Sequence, residues 1–238
     1  MLPILYQSPS FVLYAYPLLM GLGWGVAYQV FFSLIENSLT WKQAQILYWG
    51  IFVSAWIGAK LLFTVTSANL LFEPSFWIGG GFVFYGGLLF GMGFIALYHF
   101  TIKKMSSTVL WSLAVATTYG HAIGRIGCLL AGCCFGKETD LFWGIFLHDH
   151  YRHPTQALEA ICLLGFGGYI HYSKKKKFTL LATYLIGYGI IRLFIESLRG
   201  DLVRGSWGPM TPSQWISCAL IILGTFTYFG DFAAKETK

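Results

Sequence analysis

"GHAIGRIGCLLAGCCFG", residues 120–136, sets an arginine, a histidine, three cysteines and five glycines between apolar flanks. An arginine at the centre of a membrane span costs at least ~2.5 kcal/mol, so one placed here must answer to a site or a surface. The flanks belong to a chain whose 238 residues are 56% hydrophobic and only 11% charged. Soluble domains carry roughly a quarter charged residues, so the composition is that of a membrane protein. The net charge of +6 does not point to nucleic acid. Its largest block, Lys174 to Lys177, closes an apolar segment, as lysines do where a helix meets the cytoplasm.

Working outward from that stretch, seven apolar runs are long enough to cross a bilayer core, which takes about 20 residues per helix. They cover 12–35, 45–67, 80–101, 108–124, 155–172, 178–198 and 213–232. No repeat or linker divides the chain, so the expected fold is all-α, a single polytopic membrane domain over 1–238. The N-terminus lacks a basic n-region and a small-residue cleavage site, so the first apolar run is expected to be retained. The Lys/Arg balance then sets orientation. With the N-terminus outside, Lys42, Lys103, Lys104, Lys174, Lys175, Lys176, Lys177, Lys235 and Lys238 fall inside. Arg125, Lys137, Arg152, Arg199 and Arg204 fall outside, while Lys60 and Arg192 are embedded. The expected topology is N-out and C-in, with the loop 135–154 and the end of 120–136 facing outward.

In that topology Lys60, Glu159 and Arg192 all lie in the outer half of the membrane. Lys60 is about 10 Å deep at a rise of about 1.5 Å per residue. Tyr184, Tyr188, Arg192, Glu196 and Arg199 share one helical face, a polar stripe too long for a lone snorkelling arginine.

Three readings compete for 120–136. Its glycines suit tight helix packing, with Arg125 reaching the headgroups. Cys128, Cys133 and Cys134 suit a thiol site, in which Cys128 and either neighbour have room for a bridge. Glycines beside an arginine also suit a phosphate, bound by backbone and by a forked, permanent cation. No metal is assigned. The cysteines are not spaced C-x-x-C and match no structural zinc pattern, and the histidines of "HDHYRH", 148–153, sit in a polar loop. Cys162 and Cys218 lie in apolar runs, where cysteine acts as a small hydrophobe.

Five motifs in order resemble those of the prolipoprotein diacylglyceryl transferase family. "GRIGCLLAGCCFG" (124–136) is similar to its G-R-x-G-N-F-x-N-G-E-x-x-G, and "RHPTQALEA" (152–160) to its R-H-P-[ST]-Q-L-Y-E. "GYGIIRLFIESLRGD" (187–201), "GGGFVFYGGLLFG" (79–91) and "TPSQWIS" (211–217) resemble three further motifs. The resemblance implies a seven-span bundle in the bacterial cytoplasmic (inner) membrane, with its active site toward the outer face. It implies transfer of diacylglycerol from phosphatidylglycerol to a prolipoprotein cysteine, with release of glycerol phosphate and no cofactor. Arg125 and Arg192 take the positions of the arginines on the lipid phosphate, with Glu196 and Arg199 as charged partners. His153, Gln156 and Glu159 match the second motif, Gly136 closes the first, and Tyr16 falls near a first-helix tyrosine. Tyr85 stands where the family has a histidine, and Cys128, Ala131 and Cys133 replace Asn, Asn and Glu.

These replacements leave the donor side intact and alter groups nearer the acceptor. The expected partners are phosphatidylglycerol, membrane lipids, and a lipobox prolipoprotein or another acceptor, with no nucleic acid. A thiol acceptor needs a base, for which His121 and His153 are candidates, while Tyr85 with an unperturbed pKa of about 10 is a donor at best. Lys60 is a candidate phosphate contact. Two alternatives stay open: a transferase with another acceptor or a cysteine nucleophile, and a lipid-binding protein without catalysis.

Overall fold

The computed structural model describes residues 2–35, 37–67, 83–174, 176–200 and 208–236. The described residues are mostly helical. The helices are α1 (Ala15–Leu34), α2 (Trp41–Ser67), α3 (Phe84–Thr101), α4 (Ser107–Ala131), α5 (Thr155–Tyr172), α6 (Lys177–Leu198) and α7 (Pro212–Glu236). Among the described residues, three segments are long and apolar enough to cross a membrane: Ala15–Leu34, Trp41–Thr64 and Thr179–Leu198. Each helix falls on one of the apolar runs, with shifted ends.

Two of those shifts are corrections. The first apolar run does not begin a helix at 12. Antiparallel strands β1 (Ile4–Gln7) and β2 (Val12–Tyr14) precede α1, so the chain is not purely helical. A second hairpin, β3 (Ile145–Leu147) with β4 (His150–Arg152), lies in the loop after α4. His148 and Asp149 turn it with φ of 50° and 64°, the positive pair that a tight hairpin turn requires. The fourth apolar run also does not stop at 124. Helix α4 continues to Ala131, carrying Arg125 and Cys128 with it. Hydropathy ends where the polar residues begin, but backbone hydrogen bonding does not. Of the residues read from the sequence, 79–82, Lys175, Asp201, Arg204 and Lys238 lie outside the described residues.

By its contacts the chain forms two compact units, Met1–Leu34 with Leu110–Lys238, and Ile35–Val109. In the first, Trp111 and Val115 of α4 pack with Ile170 of α5 and Leu180 of α6, flanked by Val30, Tyr119, Phe166 and Tyr184. The Trp111 indole N–H donates to the Ile170 carbonyl at 3.0 Å, near the end of α5 where carbonyls lack helical partners. Helices α1 and α4 touch backbone to backbone at Gly23 and Gly120. A Cβ on Gly23 would lie 2.7 Å from the Gly120 carbonyl oxygen, so both positions need glycine. Helix α7 starts with a reciprocal cap. The Thr211 N–H donates to Gln214 Oε1 at 2.8 Å, and the Gln214 N–H to Thr211 Oγ1 at 3.3 Å, with Pro212 at the first helical position. This cap fixes the end of α7 that meets the site.

The second unit pairs α2 with α3. The Tyr98 hydroxyl donates to the Gln43 carbonyl at 3.2 Å, and the Val83 N–H to the Ala59 carbonyl at 3.1 Å. Lys60 on α2 is fully buried.

Candidate functional site

Helices α4, α5 and α6 of the first unit each bring polar side chains to one place, and their spacing explains how. His121, Arg125 and Cys128 on α4 are separated by four and three residues, so they share a face. Gln156 and Glu159 do the same on α5, as do Arg192 and Glu196 on α6. At the centre is Glu159, 1% exposed. Its Oε2 accepts from Arg125 Nη2 at 2.7 Å and from Arg192 Nη1 at 3.1 Å. Arg192 Nη1 also reaches Oε1 at 3.2 Å. Arg192 Nη2 donates to Glu196 Oε2 at 2.5 Å and to Ser213 Oγ at 3.3 Å, and the Thr211 hydroxyl donates to Glu196 Oε1 at 3.1 Å. Both guanidiniums are buried, so neither arginine snorkels to a headgroup surface. A buried carboxylate between two buried guanidiniums replaces with protein contacts the water that all three have lost.

One feature leaves the cluster open to an anion. The buried Nε of Arg125 has no hydrogen-bond partner among the described residues. Around the cluster, His121 Nε2 lies 3.7 Å from Glu159 Oε1, and its ring sits 6.0 Å from that of Tyr188. Tyr188 stacks on Tyr184 at 5.9 Å, so the stripe anticipated on α6 runs into the interior.

The other expected residues divide. Tyr16 of α1 packs on α4, where a Cβ on Gly127 would lie 3.4 Å from its ring. Gln156 does not face the arginines with its amide nitrogen, which donates instead to the Cys133 carbonyl at 2.6 Å. The His153 ring is engaged by the Trp143 indole N–H at 3.1 Å. Its backbone instead joins Gly136, whose N–H donates to the His153 carbonyl at 3.1 Å. Lys60 and Tyr85 belong to the α2–α3 unit, so the role of Lys60 rests on its depth in the span and that of Tyr85 on the resemblance. Ser213 and Thr211 were not singled out from the sequence. The motif "TPSQWIS" holds them, yet short hydroxyl side chains at a helix start read as caps.

Gly136 is the pivot of the loop. It bridges Arg199 in an antiparallel pair, while the Lys137 N–H donates to the Leu198 carbonyl at 2.8 Å and the Gly200 N–H to that of Phe135 at 3.1 Å. A Cβ there would stand 2.5 Å from the His153 carbonyl oxygen and 3.0 Å from that of Leu198. Gly136→Ala is therefore expected to cost about 1–3 kcal/mol, the usual range for overpacking. A thermal midpoint in detergent equal to wild type would contradict this contact.

The three signature cysteines are free thiols that lie close together, and Arg125 Nη1 donates to Cys128 Sγ at 3.9 Å. Past the end of α4, hydrogen bonds from the Cys128 and Cys133 thiols, helped by the Arg199 guanidinium, hold the Cys134 thiol below the ordinary thiol range.

The family model for prolipoprotein diacylglyceryl transferase matches residues 3–229. The chain belongs to that family. Among its relatives, a phosphatidylglycerol--prolipoprotein diacylglyceryl transferase of Clostridium tetani is 32% identical over 99% of this chain and the whole of the relative. One numbered 2 from Clostridium perfringens is 34% identical over 74% of each chain. Another from Campylobacter hominis is 33% identical over 87% of this chain and 78% of its own length.

Proposed function

We propose that the chain is a phosphatidylglycerol-dependent diacylglyceryl transferase that lipidates the cysteine thiol of a lipobox prolipoprotein. The observation that carries this reading is the buried pair Arg125 and Arg192, joined through Glu159, with the Nε–H of Arg125 unpaired among the described residues. A lipid phosphate would take that open donor. The acceptor thiolate attacks the glyceryl carbon. A C–S bond forms, the C–O bond to phosphate breaks, and the electron pair leaves with glycerol phosphate. The arginines act where that charge develops, which is the largest kind of catalytic contribution. His121, 3.7 Å from Glu159, is the better placed base for the thiol proton, because the His153 ring is held by Trp143.

The protein in this reading is one polytopic domain of the bacterial cytoplasmic membrane, with seven spans, N-terminus outside and C-terminus inside. The site and the loop 135–154 face outward. The Lys/Arg distribution supports it. A single cysteine at Lys176, in a background without native cysteines, is then expected to resist an impermeant thiol reagent in intact cells. Labelling before permeabilisation would overturn the topology and the outward-facing site.

Purified protein given phosphatidylglycerol labelled in its acyl chains and a lipobox peptide tests the activity. Label on the peptide thiol is expected. Label on another molecule would indicate a different acceptor, and lipid binding without turnover a protein that keeps the site but not the reaction.

A further inference from the structure

We propose that Cys128, Cys133 and Cys134 form a three-thiolate binding site for a zinc ion. Their sulfurs all lie within 4.8 Å of one another. Zinc–sulfur bonds of about 2.3 Å in a tetrahedral site put the sulfurs about 3.8 Å apart, so closure onto an ion needs about an ångström or less. Oxygen-seeking cations such as magnesium and calcium do not select thiolates, whereas zinc does.

The grouping is built by the backbone. Helix α4 delivers Cys128 from its last turn and ends at Ala131. Gly132 follows with φ 73°, and the Cys133 N–H donates back to the Cys128 carbonyl at 3.2 Å. Cys134 then adopts φ 62°, a left-handed conformation uncommon for a residue with a side chain. Three successive carbonyls of this turn are fixed by side chains from elsewhere. Gly132 O contacts His148 Nε2 at 2.9 Å, Cys133 O accepts from Gln156 Nε2 at 2.6 Å, and Cys134 O from Thr155 Oγ1 at 2.9 Å. The turn is thus held in a strained shape that collects sulfurs.

The surroundings suit a site with net negative charge. Arg125 Nη1 donates to Cys128 Sγ, and Arg199 hydrogen-bonds Cys134. Such outer donors orient and stabilise metal thiolates. A disulfide is the competing use of the same sulfurs, yet any bridge within a trio leaves one thiol unpaired, while an ion takes all three. Cys128 is buried and Cys133 exposed, so an ion there is reachable from the exposed side. Three protein ligands on zinc leave the fourth position to water or an incoming thiol. The proposal does not depend on the transferase reading.

The test uses the full chain, purified in detergent under reducing conditions, loaded with zinc and desalted. One zinc per chain is expected by elemental analysis, and cobalt in its place should give a thiolate-to-cobalt charge-transfer band. Both should be lost in Cys128→Ser and Cys133→Ser and kept in Cys162→Ser and Cys218→Ser. Zinc should also protect Cys133 of the unmutated chain from alkylation, a readout that needs no variant. The proposal is overturned if the wild-type chain holds no stoichiometric zinc or Cys128→Ser retains it. It is equally overturned if alkylation of Cys133 ignores zinc, or if the chain isolated without reductant carries a disulfide within the trio that excludes the metal.

Discussion

Arg125→Lys and Arg192→Lys should each lower diacylglyceryl transfer by about 100- to 1000-fold, the usual cost of removing one preorganised transition-state donor. Lysine preserves the positive charge and the length needed to reach Glu159, so the protein is expected to insert and fold. It lacks the planar fork that grips two oxygens at once. For Arg192 the fork matters within the protein as well, because Nη1 serves Glu159 while Nη2 serves Glu196 and Ser213. A lysine nitrogen cannot keep that geometry and also meet a phosphate. For Arg125 the loss falls on Nε, the donor with no partner among the described residues, which lysine does not possess. The measurement is turnover at saturating phosphatidylglycerol, with retained folding shown by an unchanged elution profile. Turnover near wild type in both variants would remove the phosphate clamp and leave the arginines as structural cations.

The second large effect concerns Glu159, which the sequence offered as a charge in the outer half of the membrane and as one member of a motif. Glu159→Ala strands two buried guanidiniums that share this carboxylate, Arg125 at 2.7 Å and Arg192 at 3.1 Å. Removing one partner of a buried ion pair typically costs about 3–5 kcal/mol, because the remaining charge keeps its desolvation penalty without its compensation. The expected result is a markedly lower thermal midpoint in detergent, or failure to accumulate in the membrane. Glu159→Gln keeps the shape and the hydrogen-bond acceptor but not the charge, and should fall between alanine and wild type. A midpoint for Glu159→Ala equal to wild type would show that the arginines are compensated by other groups.

How far each feature could be read from the chain follows from the range of the interaction that makes it. The helices were legible because each is a long apolar run, and the α6 stripe from Tyr184 to Glu196 because helical spacing is local, whereas Arg199 lies past the helix in extended backbone. The continuation of α4 to Ala131 was not, since hydropathy stops at the polar residues whose helix continues. The hairpins are strands of three or four residues, too short for a periodic signal. Arg192 was legible as an embedded charge, and Arg125 as an arginine at the break of an apolar run. Their meeting on Glu159 joins residues 33 or more apart in sequence, which only the packed bundle supplies. Ser213 and Thr211 were hidden for the same reason. The nearness of the cysteines was hidden differently: their spacing fits no zinc pattern, and two positive-φ residues bring them together.

The most direct measurement of the central claim counts two products of one reaction. The purified chain is mixed with phosphatidylglycerol vesicles and a lipobox peptide, and glycerol phosphate released is compared with diacylglyceryl thioether formed. The account predicts one glycerol phosphate for each lipidated thiol, and both products falling together in Arg125→Lys and Arg192→Lys. Glycerol phosphate released without a lipidated thiol, or a thioether formed at an undiminished rate in both variants, would contradict it.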